Sequence, residues 1–231
     1  MKATPKRQRR DPRDIVASIE IGARVRRVRQ VDMDRSRVRV DGGAFSLPTS
    51  DVTAIGLAPD VEWTQDICER VLRAMEIDRA MRRAIASIQR APCSRRRLIE
   101  RLRGKGVEPP IAEQVADALE QRGVLDDDAL AASAARAIVS RRPAGRRLIE
   151  AKLRQQGIDA EGAKAAAAGA LEGRDPLEDA IALASRRART FGAGVDDQAR
   201  RRRLFGVLAR RGFDADVCRT AVERVCREDL T

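Results

Sequence analysis

Arginine is the most abundant side chain in this sequence that can bind a ligand through charge and hydrogen bonds. Of the 47 basic residues, 42 are Arg and five are Lys, and with 35 acidic residues the net charge at neutral pH is +12. A guanidinium group donates hydrogen bonds in a planar fork that fits carboxylate and phosphate oxygens. The chemistry that these side chains predict is the binding of anions, above all of polyanions such as nucleic acids.

Other reactive side chains are scarce. The sequence has no His, no Tyr, one Trp and four Phe. Without His there is no Ser/His/Asp or Cys/His catalysis and no zinc site that needs an imidazole, and the few aromatic rings exclude a base-stacking platform. The cysteines form no CxxC pair and stand at Cys68, Cys93, Cys218 and Cys226. We therefore expect reduced thiols, no metal, no cofactor and no enzymatic activity.

The positive excess is spread along the whole chain. When the sequence is divided at its turn signals into residues 1–77, 78–127, 128–173 and 174–231, each segment has three more basic than acidic residues. Such a distribution predicts an extended positive surface. No apolar run approaches the roughly 18 residues of a membrane span, and the first residues lack the apolar stretch of a signal peptide. We expect a cytoplasmic protein without a membrane partner.

The elements that position most arginines are helices, and from residue 78 onward they follow a repeated pattern. An i, i+4 apolar pair is followed four residues later by glycine, and the three copies are Leu98, Leu102 and Gly106; Ile149, Leu153 and Gly157; and Leu204, Leu208 and Gly212. The apolar pair marks the buried face of a helix, and the glycine suits a left-handed residue that ends it. Because the middle repeat has the poorest core, we expect substitution of Gly157 to be the most damaging of the three.

A second helix of the pattern follows each glycine, and a third precedes the apolar pair. Glu108, Asp159 and Asp214 are placed to cap the following helix, and the preceding amphipathic stretches are 79–90, 128–141 and 176–190. The sequence thus predicts a mainly α fold of three tandem three-helix repeats, over 78–127, 128–173 and 174–231. Because such repeats bury little surface alone, we expect them to stack into a curved, elongated array. Nothing in the sequence supplies a large self-complementary apolar patch, so we expect a monomer.

The residues before the repeats predict a small α/β unit over 24–77, after a mobile basic lead over 1–23. Val38 to Val40 alternates, Asp41 to Gly43 supplies turn residues, and Phe45 to Leu47 alternates again, which is typical of a β-hairpin. Two short helices are expected to begin near Ser50 and Thr64, because both residues are good N-caps.

Paired arginines recur in register with the repeats and are the leading candidates for a binding site. The pairs are Arg95 and Arg96, Arg146 and Arg147, and Arg201 and Arg202. A cation in a first helical turn opposes the helix dipole, so its recurrence favours a contact role, although a solvated face of an Arg-rich helix is the alternative. The further candidates for binding DNA or a filament are Arg103, Lys105, Lys152, Arg154, Arg210 and Arg211. Arg186 and Arg187 are expected to lie away from this stripe.

Two motifs have ordinary explanations. Residues 103–106 (RGKG) resemble a phosphate loop, but they end a helix and do not begin one, and the rest of the motif is missing. The acidic cluster Asp126 to Asp128 lacks the spacing of a calcium loop, and helix capping explains it.

The order of these features resembles the RecX family of recombinase regulators over roughly residues 24 to 229. The resemblance rests on residues 37–47 (RVRVDGGAFSL), 94–107 (SRRRLIERLRGKGV), 122–131 (RGVLDDDALA) and 204–213 (LFGVLARRGF). The chain departs from the family at Leu130, where aromatics are frequent, and in the Ala-rich stretch 163–171. The resemblance implies a non-enzymatic protein that lies in the groove of RecA filaments on DNA and restrains recombination, ATP turnover and SOS coprotease activity.

Two further functions are compatible with the same residues. The first is a sequence-nonspecific DNA-binding repeat protein without a recombinase partner, and the second is a scaffold associated with RNA or ribosomes. Phosphate neutralisation alone makes affinity fall steeply with salt, whereas recognition of a protein filament keeps a salt-resistant part.

Overall fold

The computed structural model describes residues 11–191 and 196–228, and most of them are helical. The elements are α1 (Pro12–Ala17), β1 (Val25–Gln30), β2 (Arg35–Val40), β3 (Gly43–Pro48), α2 (Thr49–Ile55), α3 (Gln65–Arg90), α4 (Arg95–Arg103), α5 (Pro109–Gln121), α6 (Asp127–Arg141), α7 (Arg146–Gln155), α8 (Ala160–Leu171), α9 (Pro176–Ala188), α10 (Asp197–Arg210) and α11 (Ala215–Glu228). The predicted fold class, mainly α with a small β-containing unit at its N-terminal side, is confirmed. None of the helices in these two ranges is long and apolar enough to cross a membrane.

The chain divides into two compact units. The first comprises residues 1–87 and 102–115, and the second comprises residues 88–101 and 116–231. The residues of the first predicted repeat, 78–127, are therefore shared between the units.

The sheet of the first unit has three antiparallel strands in the order β1-β2-β3. The predicted hairpin corresponds to β2 and β3, with Val38 opposite Phe45 and Val40 opposite Gly43. Strand β1 extends it into a meander. One face of the sheet is buried, and Val38, Phe45 and Leu47 on that face contribute to a core that also contains Trp63.

The predicted mobile lead contains a helix within the residues that the structure describes. Asp11 caps α1 by accepting a hydrogen bond from Arg13 N, and Pro12 occupies the first helical turn, where its missing N–H is not needed. Val16 is fully buried, and α1 packs against β3. The prediction of a mobile lead over 1–23 is therefore wrong for residues 11–23, because apolar residues of α1 join the core. Residues 1–10 lie outside the described part of the chain.

The two short helices predicted near Ser50 and Thr64 differ from the helices observed. Helix α2 begins at Thr49 and follows Pro48, so Ser50 is not its cap. Thr64 does accept a hydrogen bond from Ile67 N at 3.3 Å, but the helix that follows it, α3, has 26 residues. No Gly or Pro interrupts residues 65–90, so nothing in the sequence ends the helix earlier. The expected boundary between residues 77 and 78 falls inside α3.

The middle helices of the three repeats end close to their predicted positions. The glycines that follow α4, α7 and α10 have positive φ, as predicted: 77° at Gly106, 87° at Gly157 and 80° at Gly212. Asp159 caps α8 by accepting a hydrogen bond from Gly162 N at 2.6 Å, and Asp126 caps α6 by accepting one from Ala129 N at 2.8 Å. The capping explanation of the acidic cluster is confirmed.

The cores of the second and third repeats differ in the size of their side chains. Helix α8 packs against α6 and α7, and the residues it buries are Ala163 and Ala167. In the third repeat, α9, α10 and α11 pack together around Leu204, Leu208 and Phe213. The second repeat consequently buries less apolar volume than the third.

Candidate nucleic-acid interface

Neighbouring repeats in the second unit contact each other through the ends of their middle helices. At the N-terminus of α4, Ser94 Oγ donates a hydrogen bond to Gln156 O, just after α7, at 2.7 Å. At the N-terminus of α7, Gly145 N donates one to Arg211 O, just after α10, at 2.9 Å. The positive end of each helix dipole therefore meets the negative end of the next.

These contacts give the arginines near the helix starts a structural explanation. Arg97 donates a hydrogen bond to Gln155 O of α7, and Arg147 Nε lies 2.9 Å from Asp214 Oδ1 of the next repeat. The carbonyls and carboxylate of the neighbouring repeat thus offset the penalty of a cation in the first turn. The unfavourable interaction of these cations with the helix dipole is therefore weaker in the folded protein than in an isolated helix. It favours a role in binding less strongly than the sequence alone indicates.

Five of the six arginines of the predicted stripe have an acidic partner, and these partners differ in position. Arg95 pairs with Asp117 and Glu120, while Arg96 and Arg146 each pair with a glutamate one turn further along the same helix. Arg201 and Arg202 do not lie in a first turn, because α10 begins at Asp197. Arg201 Nε lies 2.7 Å from Asp197 Oδ2, and that hydrogen bond raises the pKa of Arg201.

Arg211 joins the second repeat to the third. Its Nε donates a hydrogen bond to Pro143 O at 2.9 Å, and its Nη2 donates one to Arg142 O at 2.9 Å. Burial, and then the nearby charge of Arg142, lower the pKa of Arg211. A candidate for binding DNA thus has two guanidinium nitrogens committed to backbone carbonyls of its own chain.

A groove made of adjoining cavities on the second unit gathers many of the other cations. It consists of three open cavities of about 480, 460 and 510 Å³. The first two share Arg142 and Arg211, and the second and third share Arg187, Thr190 and Val207. We call it the arginine groove; its cationic lining is Arg141, Arg142, Lys152, Arg186, Arg187, Arg202, Arg203, Arg210 and Arg211.

The lining of the arginine groove combines cations with a small apolar floor. Among the residues that the structure describes, no Asp or Glu lines any of its three cavities. Leu183 and Val207 contribute apolar surface. The Arg187 guanidinium lies 5.5 Å from the centre of the Phe191 ring, and its Nη1 donates a hydrogen bond to Thr190 Oγ1 at 3.1 Å. Such a surface can neutralise phosphates or carboxylates.

The groove includes only some of the predicted site residues. Lys152, Arg202, Arg210 and Arg211 line it, whereas Arg103 and Arg154 are exposed outside it. Lys105 lines a separate cavity of the first unit, of about 210 Å³, together with Arg13, Arg79 and Arg83.

Five groove residues were not among the predicted site residues. They are Arg141, Arg142, Arg186, Arg187 and Arg203. Arg186 and Arg187, expected to lie away from the predicted stripe, line the middle cavity of the groove. The signal that could have revealed them is the basic pair at the end of the first helix in the second and third repeats, where the helix dipole favours cations.

The cysteines and carboxylates form no second kind of site in the described part of the chain. All four cysteines are buried, and none forms a disulfide. Burial raises the pKa of the Cys68, Cys93 and Cys218 thiols. Within the described ranges, no group of three or more Cys, Asp or Glu residues is placed to hold a metal ion.

Comparisons with known proteins agree with the repeat pattern. The family model "RecX, third three-helix domain" matches residues 174–222. The chain is 34% identical to the regulatory protein RecX of Thermobifida fusca over 149 residues, which are 62% of this chain and 74% of the relative. It is 37% identical to the regulatory protein RecX of Xanthomonas campestris over 142 residues, which are 61% of this chain and 84% of the relative. It is 29% identical to that of Streptomyces coelicolor over 189 residues, which are 82% of this chain and 90% of the relative.

Solved structures show the same fold. A crystal structure of a regulatory protein RecX matches with a TM-score of 0.73 at 20% identity, covering 87% of this chain and 99% of the other. The crystal structure of RecX from Lactobacillus salivarius matches with a TM-score of 0.59 at 19% identity, covering 68% and 99%. At these identities the likeness concerns the fold alone.

Proposed function

The chain belongs to the RecX family of regulatory proteins, and from this premise we propose that it regulates the RecA recombinase by binding RecA filaments on DNA. Relatives more than 30% identical, each covered over more than two thirds of its length, establish the family. The family resemblance supports a restraining effect on recombination, ATP turnover and SOS coprotease activity. In this proposal the protein acts by binding alone and needs no cofactor.

The arginine groove is the surface that we assign to the filament. A RecA filament on DNA is a long assembly with DNA phosphates at its centre, and a cationic groove is attracted to phosphates and to acidic protein surfaces alike. The groove runs over consecutive repeats, so its donors are distributed along the chain's path and not gathered at one point. A ligand of extended shape fits such a distribution.

The observation that carries this proposal is that, among the described residues, no acidic side chain lines the groove. Several arginines elsewhere in the second unit lie beside acidic partners, as Arg219 does with Asp216 and Arg224 with Glu178. The groove brings together nine cations without an Asp or Glu in its described lining. Repulsion among like charges makes this arrangement unfavourable in the isolated protein, and a bound polyanion relieves it.

The test is a titration of the protein into a RecA–ssDNA ATPase assay. We expect the parent protein to lower ATP turnover, and the double variant R187Q/R210Q to need about 30-fold more protein for the same effect, since two charge-assisted contacts of about 1 kcal/mol each are removed. The matched control is R219Q/R224Q, which removes two exposed charges of the same unit from outside the groove. Equal losses of inhibition for both variants would mean that the groove acts only through the general positive charge of the chain.

A nonspecific DNA-binding protein without a recombinase partner is the second candidate function. The net charge of +12 favours it, because this charge attracts any nucleic acid. If the parent protein binds DNA but leaves the ATP turnover of RecA unchanged at saturating concentration, this second function replaces the first.

A further inference from the structure

The exposed face of the sheet in the first unit carries four arginines that face one another. In the pairing of β1 with β2, Arg27 lies opposite Arg39 and Arg29 lies opposite Arg37. All four side chains are exposed, while Val38 and Val40, which alternate with them in β2, are buried on the other face. We call these four residues the arginine platform.

Within the described residues, no carboxylate forms an ion pair with the platform. None of its four arginines has an ion pair or a side-chain hydrogen bond with another residue in the described part of the chain. Other arginines of the same sheet have carboxylate partners: Arg26 Nε lies 2.7 Å from Asp41 Oδ1, and Arg35 Nη1 lies 3.0 Å from Asp78 Oδ2. Like charges directly opposite one another on neighbouring strands destabilise a sheet. The fold tolerates this cost at two cross-strand pairs that are neighbours on one face of the sheet.

The spacing of the platform is regular because a sheet positions it. Neighbouring strands lie about 4.8 Å apart, and two residues along a strand span about 6.7 Å. The latter distance is close to the rise of two base steps along the axis of DNA, at about 3.4 Å each. On β3, the neighbours of Arg37 and Arg39 are Ser46 and Ala44. At that edge Arg37 lines a cavity of about 610 Å³ that also contains Asp11 and Asp78, with which it forms no ion pair.

We propose that the arginine platform binds the phosphate backbone of DNA, as a site separate from the arginine groove. Guanidinium groups supply donors only, which suits phosphate oxygens, and the platform contains no aromatic ring that could stack on a base. Regularly spaced phosphates complement regularly spaced cations. This inference rests on the sheet alone and does not require that RecA is the partner.

The experiment uses the full chain and fluorescein-labelled single-stranded and double-stranded DNA, without RecA. The variants are R27Q/R39Q and R29Q/R37Q, each of which removes one cross-strand pair, and the control is R26Q/R73Q, which removes two exposed charges of the same unit from outside the platform. We expect each platform variant to lose about tenfold in affinity, and its log–log salt slope on single strands to flatten by about 1.4. The control should lose less than threefold.

Thermal melting of the same variants separates binding from folding. Each platform variant should melt no lower than the parent protein, because it relieves a like-charge pair. Unchanged DNA affinity in both platform variants overturns the proposal, and so does an equal loss in the control. Unchanged DNA affinity with lost binding to poly-glutamate would assign the platform to an acidic protein instead. The ATPase assay with R187Q/R210Q is independent, so each proposal can fail alone.

Discussion

The partners of each guanidinium divide the arginines of this chain into two groups. Arg95, Arg147 and Arg211 contact carboxylates or carbonyls of their own chain and hold helices and repeats together. Arg202 and Arg210 line the arginine groove without such an ion pair among the described residues. Composition alone cannot separate the two groups, because the side chain is the same and only its neighbours differ.

Arg211 is predicted to matter for stability more than for binding. Arg211→Ala leaves the carbonyls of Arg142 and Pro143 without their charged donor, so we expect the free energy of unfolding to fall by about 2 kcal/mol. Urea denaturation measures this change. The adjacent exposed residue provides the control, since Arg210→Ala should change stability by less than about 0.5 kcal/mol. Similar losses for both would show that Arg211 does not join the repeats.

The cysteines are predicted to be unreactive in the folded protein. The thiolate is the reactive form, and burial both raises the thiol pKa of Cys68, Cys93 and Cys218 and blocks access. Iodoacetamide at mildly alkaline pH should therefore label these cysteines only after unfolding, which mass spectrometry detects. Rapid labelling of the native protein would contradict their burial.

The same shifts predict a loss of stability in alkali. Above the ordinary thiol pKa of 9.0, the unfolded chain releases thiol protons that the folded chain retains. The unfolded state then binds fewer protons, so the free energy of unfolding falls as pH rises. Replacing Cys68, Cys93 and Cys218 with Ser should reduce this alkaline slope in urea denaturation; an unchanged slope would exclude the thiols as its cause.

The glycines that end the middle helices are predicted to differ in their tolerance of alanine. All three need positive φ, which costs a non-glycine residue about 1 kcal/mol. A Cβ at Gly106 would meet open space, one at Gly157 would press on the side chains of Ser94 and Arg97, and one at Gly212 would overlap the backbone of Leu148. Backbone cannot move aside as a side chain can. We therefore expect the loss of melting temperature to increase from Gly106→Ala to Gly157→Ala to Gly212→Ala.

This order revises the expectation that Gly157 is the most sensitive of the three. The sequence indicates the poor core of the middle repeat correctly but contains no sign that Gly212 touches the preceding repeat. Gly145 provides an independent check, because its φ is ordinary while a Cβ there would overlap the backbone of Gly212. Gly145→Ala should destabilise the protein by close packing alone. If it melts like the parent, the contact between these helix ends is wrong.

Local patterns predicted the helices well, because the features that begin and end them lie within a few residues. The Leu/Gly spacing and Asp159 are examples, and both act through the backbone of their own turn. Strand β1 was harder to recognise because only Val25 and Val28 point away from solvent along it. The sequence does not indicate the whole arginine groove, because Arg142 and Arg187 become neighbours only when two repeats pack together.

The net charge of +12 gives the entire chain an attraction to polyanions that any functional assignment has to separate from specific recognition. Even spacing of the excess along the sequence means that no single segment accounts for this attraction. Variants that remove two charges change the total only slightly, which is why each needs a control of equal charge.

Salt dependence is predicted to distinguish a RecA regulator from a general DNA-binding protein. Affinity for bare single-stranded DNA should fall with log–log slope of about −0.7 for each phosphate neutralised, whereas contacts with the protein filament add a part that salt weakens less. The ratio of affinity for the RecA–ssDNA filament to affinity for bare DNA should therefore rise with salt concentration. Fluorescence anisotropy on both ligands measures it, with R219Q/R224Q as the control that preserves the ratio. Equal slopes on the two ligands would mean that the chain recognises only the DNA, because every contact would then be a phosphate contact.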